Sequence, residues 1–460
     1  LEFRHVLFRS GALRAFLSRG EAQVFVNILS ENYLLRDYMR CNRQLFLADP
    51  NAVPSYVPDY AKTERNTVIK LILLMTLRSV SEEEVVHELH LAGIEAENAY
   101  GTLLELIRKY TYADETLLTI RTERIPVDEL TTISRNTYII PEEVFDKFFM
   151  DSLKNAYYIL EEEKLEQGYI DAKLYSHVTQ TILPGQFVVY DGKYYQAKYV
   201  TPQSGVVLRR ASDLYDGRKY YRQIRSYHMH FEENLLPISV KTISDIEFTE
   251  LRTDFEVVTT GYLEMQENNN LRTARVIDFS KDPSVGRYIR KYHNKTILKI
   301  HLPESDDKLC FTVCLLMTEL FKTLFPEGWQ YLAVLTQRPD DISGMLNHVV
   351  YAIEGETEPG DIFVIEDSDI DLGLLEAVEK NFMRIMEIMT DFLEWHVEKM
   401  REPAAKDPIP VKISVQEAEE QKKRGLIVRM LDRIRKLFNS GKKEEDPKIE
   451  STEKVEKSAD

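Results

Sequence analysis

Four carboxylates close an apolar run near the C-terminal end of this chain. The segment GDIFVIEDSDIDLG carries Glu366, Asp367, Asp369 and Asp371 directly after a β-patterned stretch. Acids at the C-terminal edge of a strand can hold Mg²⁺ or do acid/base work, since a hard cation takes oxygen ligands and α/β folds place their sites there. A structural role is the favoured reading: Asp369 or Asp371 can cap the helix that follows, their charge favoured at its positive end, and solvent exposure accounts for the rest. A second group of residues lies between Phe187 and Tyr227, where tyrosines and arginines crowd a segment of strand-like alternation. Lys193, Lys198, Arg209, Arg210, Arg218, Lys219, Arg222 and Arg225 outnumber Asp191, Asp213 and Asp216 there, in a chain of formal net charge -17. Guanidinium forks pair with phosphate, and tyrosine rings stack on unpaired bases for roughly 1–3 kcal/mol each. Tyrosine is also a good strand former, so alternation would bury half of these rings.

Other constellations carry less. His228 and His230 flank Met229 on one strand face, with no third ligand evident for zinc, and are expected as exposed edge histidines. His293 and His301 stand apart. Cys310 and Cys314 lie four apart in an apolar helical run, the spacing of a buried face. The sequence contains neither a GxxxxGK[ST] phosphate loop nor a GxSxG elbow, so the usual ATP-splitting and serine-hydrolase motifs are missing from it. No catalytic residue and no metal ligand is therefore assigned.

The elements that must position these groups can be read along the chain. At 460 residues it is long enough for about three domains, and 43% hydrophobic with 29% charged residues is an ordinary globular balance. No apolar run approaches the roughly 20 residues of a membrane-spanning helix. Three cysteines cannot build a disulfide framework, which points to a reducing, cytoplasmic setting. The opening LEFRHVLFRS lacks a methionine and reads as adaptor read-through, so residues 1–10 are set aside as an artefact and the chain is expected to be a fragment. Residues 11–60 read as the end of a preceding domain, with AQVFVNIL as a buried strand. Residues 61–140 pattern as a winged-helix-like domain: a helix from Glu64 to Arg78, a second opened by the capping box Ser81 and Glu84, a third from Glu95 to Tyr110, then two wing strands. Glu95, Glu97 and Glu105 on the third helix oppose groove reading, which favours a structural or protein-contacting role.

A helical connector is expected over 141–182, from the apolar spacing between Pro141 and Gln167. Residues 183–302 pattern as a β-rich domain whose first part, with turns at Gly185, Gly192 and Gly205, has the layout of a small barrel or curled sheet. Residues 303–403 alternate helix, three strands and a long helix, an α/β domain. The tail, 404–460, is polar except for RGLIVRMLDRIRKLF. This basic amphipathic helix at 425–438 suits a protein partner or packing on the chain itself better than a membrane, because one short helix anchors weakly. The fold class is accordingly α+β and multidomain: winged-helix-like domain, small β-barrel-like unit with further strands, C-terminal α/β domain and a disordered tail.

The order of these elements, with PGQFVVYDGKYYQAKYV, the pair FEVVTTGYLEM and KTILKIHLP, and IFVIEDSDIDLGLL, resembles the C-terminal half of a DEAD/DEAH-box (superfamily two) helicase of MrfA type. The family's zinc-binding cysteine cluster is missing: Phe382 to Trp395 contains no cysteine. The resemblance implies that two RecA-like lobes precede this region and hold ATP and Mg²⁺, with residues 11–60 as the tail of the second lobe. It also implies that the present chain is an accessory, non-catalytic, nucleic-acid-binding part with no cofactor of its own, DNA being the expected ligand. The candidate contacts are Arg209, Arg210, Arg218, Lys219, Arg222 and Arg225, with Tyr194, Tyr195, Tyr220 and Tyr221 to stack on bases. Two alternatives stay open: a protein-interaction scaffold using the helix at 425–438, and a metal-dependent hydrolase using the acids at 366–371. Stable membrane association is not expected.

Overall fold

The computed structural model describes residues 38, 41–42, 63–112, 118–128, 131–141, 144, 148, 156–162, 171–174, 182, 185–190, 192–201, 205–211, 219–231, 237–243, 245–268, 271–281, 288–303, 305–325, 328–339, 351–354 and 357–401. The strand expected at 22–29, most of the preceding-domain remnant at 11–60, the tail at 404–460 and the basic helix at 425–438 lie outside the described residues. Two compact units divide the chain, residues 1–385 and 386–460.

Three helices lead the elements given in full among the described residues of the first unit. Helix α1 (Glu64–Leu77) is capped by Thr63, whose side chain accepts from the Asn66 N–H. Ser81 accepts from the Glu84 N–H at 3.3 Å and opens α2 (Glu82–Leu91), the capping expected from the sequence. Asn98 opens α3 (Ala99–Tyr110), four residues later than expected, its side chain accepting from the Gly101 N–H. Val68, Leu71, Ile72 and Met75 of α1 meet Val85 and Leu89 of α2 and Leu103 and Ile107 of α3 in one core. Strands β1 (Val80–Ser81), β2 (Thr119–Pro126) and β3 (Thr132–Ile139) form a three-stranded sheet ordered β1-β3-β2. Tyr138 on β3 closes the core and is 1% exposed.

The helix expected between Pro141 and Gln167 is corrected: Ala156–Glu161 is strand β4. Tyr157, Tyr158 and Ile159 are strand formers, and β4 has partners on both sides, so sheet pairing overrides the helical spacing. With β5 (Asp171–Leu174), β6 (Phe187–Tyr190), β7 (Lys193–Thr201) and β8 (Gly205–Arg210) it makes an open five-stranded sheet ordered β5-β4-β8-β7-β6. The small barrel expected here is therefore an open sheet among the described residues. Ile159, Tyr195, Ala197, Val206 and Leu208 on its inner face pack with Tyr262 and Phe279.

The remaining strands build an eight-stranded sheet from β9 (Lys219–His230), β10 (Ser239–Ile243), β11 (Ile246–Asn268), β12 (Leu271–Asp278), β13 (Tyr288–His301), β14 (Leu332–Thr336), β15 (Tyr351–Glu354) and β16 (Asp361–Glu366). The pairing path runs β10-β11-β13-β16-β14-β15-β9, and β9 pairs again with β11. Strands from either side of residue 302 thus share one sheet. The tyrosine and arginine block is split as well, β6 to β8 going to the smaller sheet and β9 to the larger. β11 can serve β9, β10, β12 and β13 because it is 23 residues long, with register shifts at Thr253/Phe255 and Thr259/Gly261. Tyr227, Met229, Leu251, Phe255, Tyr292, Ile297, Leu335, Ile353 and Phe363 give this curled sheet its own core. Helix α4 (Asp307–Leu324), capped by Asp306, packs against β14 and β16, and buries Cys310 and Cys314. Helix α5 (Leu374–Arg401) starts in the first unit, where Phe382 meets Phe248 edge-on at 4.9 Å. In the second unit the Phe392 ring stacks on His396 at 5.7 Å, and Lys399 Nζ stands 4.6 Å from the Trp395 ring centre.

Candidate nucleic-acid face and buried ion network

Alternation along the paired strands β7 and β8 decides which basic and aromatic side chains reach solvent. Tyr195, Ala197 and Leu208 point to the inner face, and Tyr195 is only 2% exposed. On the outer face Tyr194, 46% exposed, stands near Gln196 and Arg209, which are partners in the antiparallel register. Lys193 and Arg210 at the adjoining strand ends are exposed too. Arg209 Nε lies 3.1 Å from Glu162, with both side chains more than a third exposed. Such a pair contributes about 0–1 kcal/mol, so Arg209 can leave it at little cost.

Two expected contacts are corrected. Arg225 was expected to meet nucleic acid, yet its side chain is 6% exposed, because period two on β9 turns Gln223, Arg225, Tyr227 and Met229 toward the interior. Tyr195 is withdrawn for the same reason on β7. Arg218 and the side chains of Lys219, Arg222, Tyr220 and Tyr221 lie outside the described residues. His230 is exposed as expected, whereas His228 lies where β9 pairs with both β11 and β15 and is not on an edge.

The acids at 366–371 form the best-defined polar constellation of the first unit. Asp367 is fully buried and accepts from Arg225 Nη1 at 3.1 Å, from Tyr292 Oη at 2.5 Å, from Tyr227 Oη at 3.4 Å and from Arg290 Nη2. Asp371 takes Lys295 Nζ at 2.7 Å and Thr63 Oγ1 at 3.3 Å. Arg65 of α1 donates through Nε to the Asp369 carbonyl at 2.8 Å and through Nη1 to the His293 carbonyl at 2.9 Å. Asn66 exchanges two hydrogen bonds of 2.7 Å with the Asp371 backbone. The segment is thereby wired to β9, β13 and the start of α1.

Glu366 ties down the start of α5. Its carboxylate accepts from the N–H groups of Leu372 at 2.5 Å and Leu374 at 3.0 Å. Burial raises the Glu366 carboxyl above the ordinary glutamate range despite Lys295 at 3.8 Å. Burial would raise Asp371 also, but the charge and hydrogen bond of Lys295, helped by Arg65, hold it below the ordinary aspartate range. Arg225, Arg290, Lys295 and Arg65 surround this acidic segment, and protein donors take the carboxylate oxygens of Glu366, Asp367 and Asp371. An ion that needs open carboxylate positions finds them already used.

At the other end of β16, the cysteines offer no nucleophile. Burial pushes the Cys310 thiol up to about 12, with Asp307, Asp306 and Asp361 adding to the effect. Among the described residues no helix is long and apolar enough to cross a membrane.

No family model matches the chain, and no curated protein does. Several solved structures are similar to it, among them three of one helicase. The DUF1998 helicase MrfA bound to DNA aligns with a TM-score of 0.39 at 13% identity, over 87% of this chain and 46% of that one. MrfA bound to DNA and AMPPNP gives 0.36 at 12% identity, over 78% and 41%, and a further structure of the DUF1998 helicase MrfA gives 0.37 at 10%, over 94% and 64%. This chain spans less than two thirds of the length of each.

The Arg65 contact escaped sequence reasoning. Some 300 residues separate Arg65 from Asp369, and no local pattern marks a long-range partner. Lys193 had a usable signal, since it follows the Asp191-Gly192 turn at the exposed start of a strand.

Proposed function

We propose that this chain binds single-stranded nucleic acid, DNA in the first instance, as an accessory region of a helicase-related protein. The observation that carries the reading is a group of exposed cations around an exposed ring on β7 and β8: Tyr194 and Arg209 on the outer face, with Lys193 and Arg210 exposed at the strand ends beyond the buried Tyr195 and Leu208. Cations along a strand pair can follow a phosphate backbone while an exposed ring stacks on a base, a combination that tolerates any sequence. Helices α1 to α3 with β1 to β3 have the element order of a winged helix. In this proposal they are a structural module, because the end of α3 is committed inward: Lys109 and Tyr110 both bond to Glu64, and the Lys109 carbonyl accepts from Asn294 Nδ2. The buried ion network serves to join that module to the curled sheet. ATP and Mg²⁺ would belong to motor lobes outside this chain.

The test is titration of a labelled oligonucleotide at several salt concentrations. Binding should weaken with salt, and Arg209→Ala with Arg210→Ala should reduce the logarithmic salt slope by about 1.4, at about 0.7 per phosphate contact on a single strand. Absence of binding at low salt, or an unchanged slope in the double variant, would overturn the reading.

A further inference from the structure

We propose that His301, Asp361 and Glu358 form a binding site for a divalent transition-metal ion of the zinc class, at the end of the curled sheet away from the Asp367 network. One ligand atom from each lies within 4.8 Å of the others. His301 and Asp361 are directly opposed partners on β13 and β16, and Nδ1 stands 2.9 Å from Oδ1. Two ligands at zinc bond lengths of about 2.0–2.2 Å in tetrahedral geometry lie about 3.3 Å apart, so a small opening of this pair admits the ion.

The third ligand arrives through a tight turn. Gly360 has φ +94° and its carbonyl accepts from the Leu302 N–H at 2.9 Å, while the Asp361 N–H donates to the Glu358 carbonyl at 3.1 Å. A Cβ at position 360 would stand 2.7 Å from the Leu302 carbonyl oxygen and 3.2 Å from the His301 ring, so glycine is what lets Glu358 fold back toward the imidazole. Two of the three ligands thus sit on paired strands, with little freedom to lose on binding.

Charge and chemistry select the ion. Asp361, Glu358 and Glu247, the register partner of His301, outnumber Lys299 at this end. Lys299 Nζ holds Asp361 Oδ2 at 2.9 Å and stands 3.8 Å from Glu358 Oε2, so Oδ1, which now meets His301 Nδ1, is the oxygen that the ion would take over. One imidazole with two carboxylates suits zinc and its neighbours better than Mg²⁺ or Ca²⁺, which prefer oxygen alone. The gradient of exposure gives an entry path: Asp361 is 2% exposed at the base, His301 38% and Glu358 77% at the rim.

The experiment is Zn²⁺ titration of the chelator-treated chain against a chromophoric chelator, without nucleic acid, so its outcome is separate from that of the binding reading. The intact chain should hold one equivalent more tightly than any background sites. His301→Ala and Glu358→Gln should each weaken that equivalent by about tenfold or more. Co²⁺ should give visible absorption bands that His301→Ala abolishes, and Zn²⁺ should raise the Tm of the intact chain but not of this variant. Circular dichroism checks folding, and Glu358→Gln, at a solvent-exposed rim, keeps the test informative if His301→Ala misfolds. Equal Zn²⁺ affinity in the intact chain and both variants, or no tight equivalent in the intact chain, would overturn the site.

Discussion

Replacing Asp367 by Asn removes one negative charge from a place where Arg225 and Arg290 both depend on it. The carboxylate is fully buried, the two arginine side chains are 6% and 2% exposed, and the Tyr227 and Tyr292 hydroxyls complete its shell. Asn keeps the shape and one acceptor, but its amide NH₂ faces donors, and two buried guanidinium groups lose this counter-charge without reaching water. Breaking a buried pair in this way costs about 3–5 kcal/mol. At about 2–4 °C per kcal/mol, the Tm of the first unit should fall by about 6–20 °C. Calorimetry with parallel circular dichroism measures it. The triple replacement Arg225→Met, Arg290→Met and Asp367→Leu should lie much closer to the parent, because removing a whole buried ionic group often leaves stability unchanged or higher. A loss below about 1 kcal/mol for Asp367→Asn, or a triple variant less stable than the single one, would refute the idea that a charge-dependent cluster holds β9, β13 and the end of β16 together.

Other outcomes follow from the same geometry. Arg65→Ala removes donors to the Asp369 and His293 carbonyls, and should cost about 2–6 kcal/mol at about 1–3 per orphaned buried group, read as easier denaturant unfolding of α1. The lowered Asp371 carboxyl stabilises the fold above its unfolded pKa and loses that contribution as pH falls through its folded value; Asp371→Asn should therefore flatten the loss of stability below about pH 3.8. Glu366 has the opposite sign, since its raised pKa favours the fold below the unfolded value and that gain is lost as pH rises through the folded one, so a stability-pH curve of Glu366→Gln should lack this alkaline-side decline. A Cβ at Gly261 would meet the Ile277 carbonyl oxygen at 2.0 Å, and Gly261→Ala should destabilise the β11 and β12 pairing by about 1–3 kcal/mol, seen as faster amide exchange along β12.

Much of the local structure was legible in the residues. The Ser81 side chain capped α2 as expected, while the Glu84 carboxylate paired with Arg78, and the apolar spacing around Cys310 and Cys314 marked a buried helix face. The strand before the acids ran from Asp361 to Glu366. The segment from Ala156 to Glu161 was misread because its apolar residues satisfy helical spacing and strand propensity alike; only the partners supplied by β5 and β8 settled it. The small barrel failed for a related reason, since turns between strands do not reveal that β9 leaves the first sheet for the second. Of the expected contacts, Arg209, Arg210 and Tyr194 reached solvent while Arg225 and Tyr195 did not.

The sequence by itself determined where helices begin, which stretches alternate, and that arginines, tyrosines and carboxylates are locally dense, because capping and periodicity act within a few residues. Tertiary structure decided what those groups do. Whether Arg225 faces a phosphate or Asp367, and whether the acids await a metal or are met by Arg225, Arg290, Lys295 and Arg65, depends on pairings across about 70 to 300 residues. Burial of a charge is permitted only when a counter-charge arrives with it, and that partner is chosen by the register of distant strands.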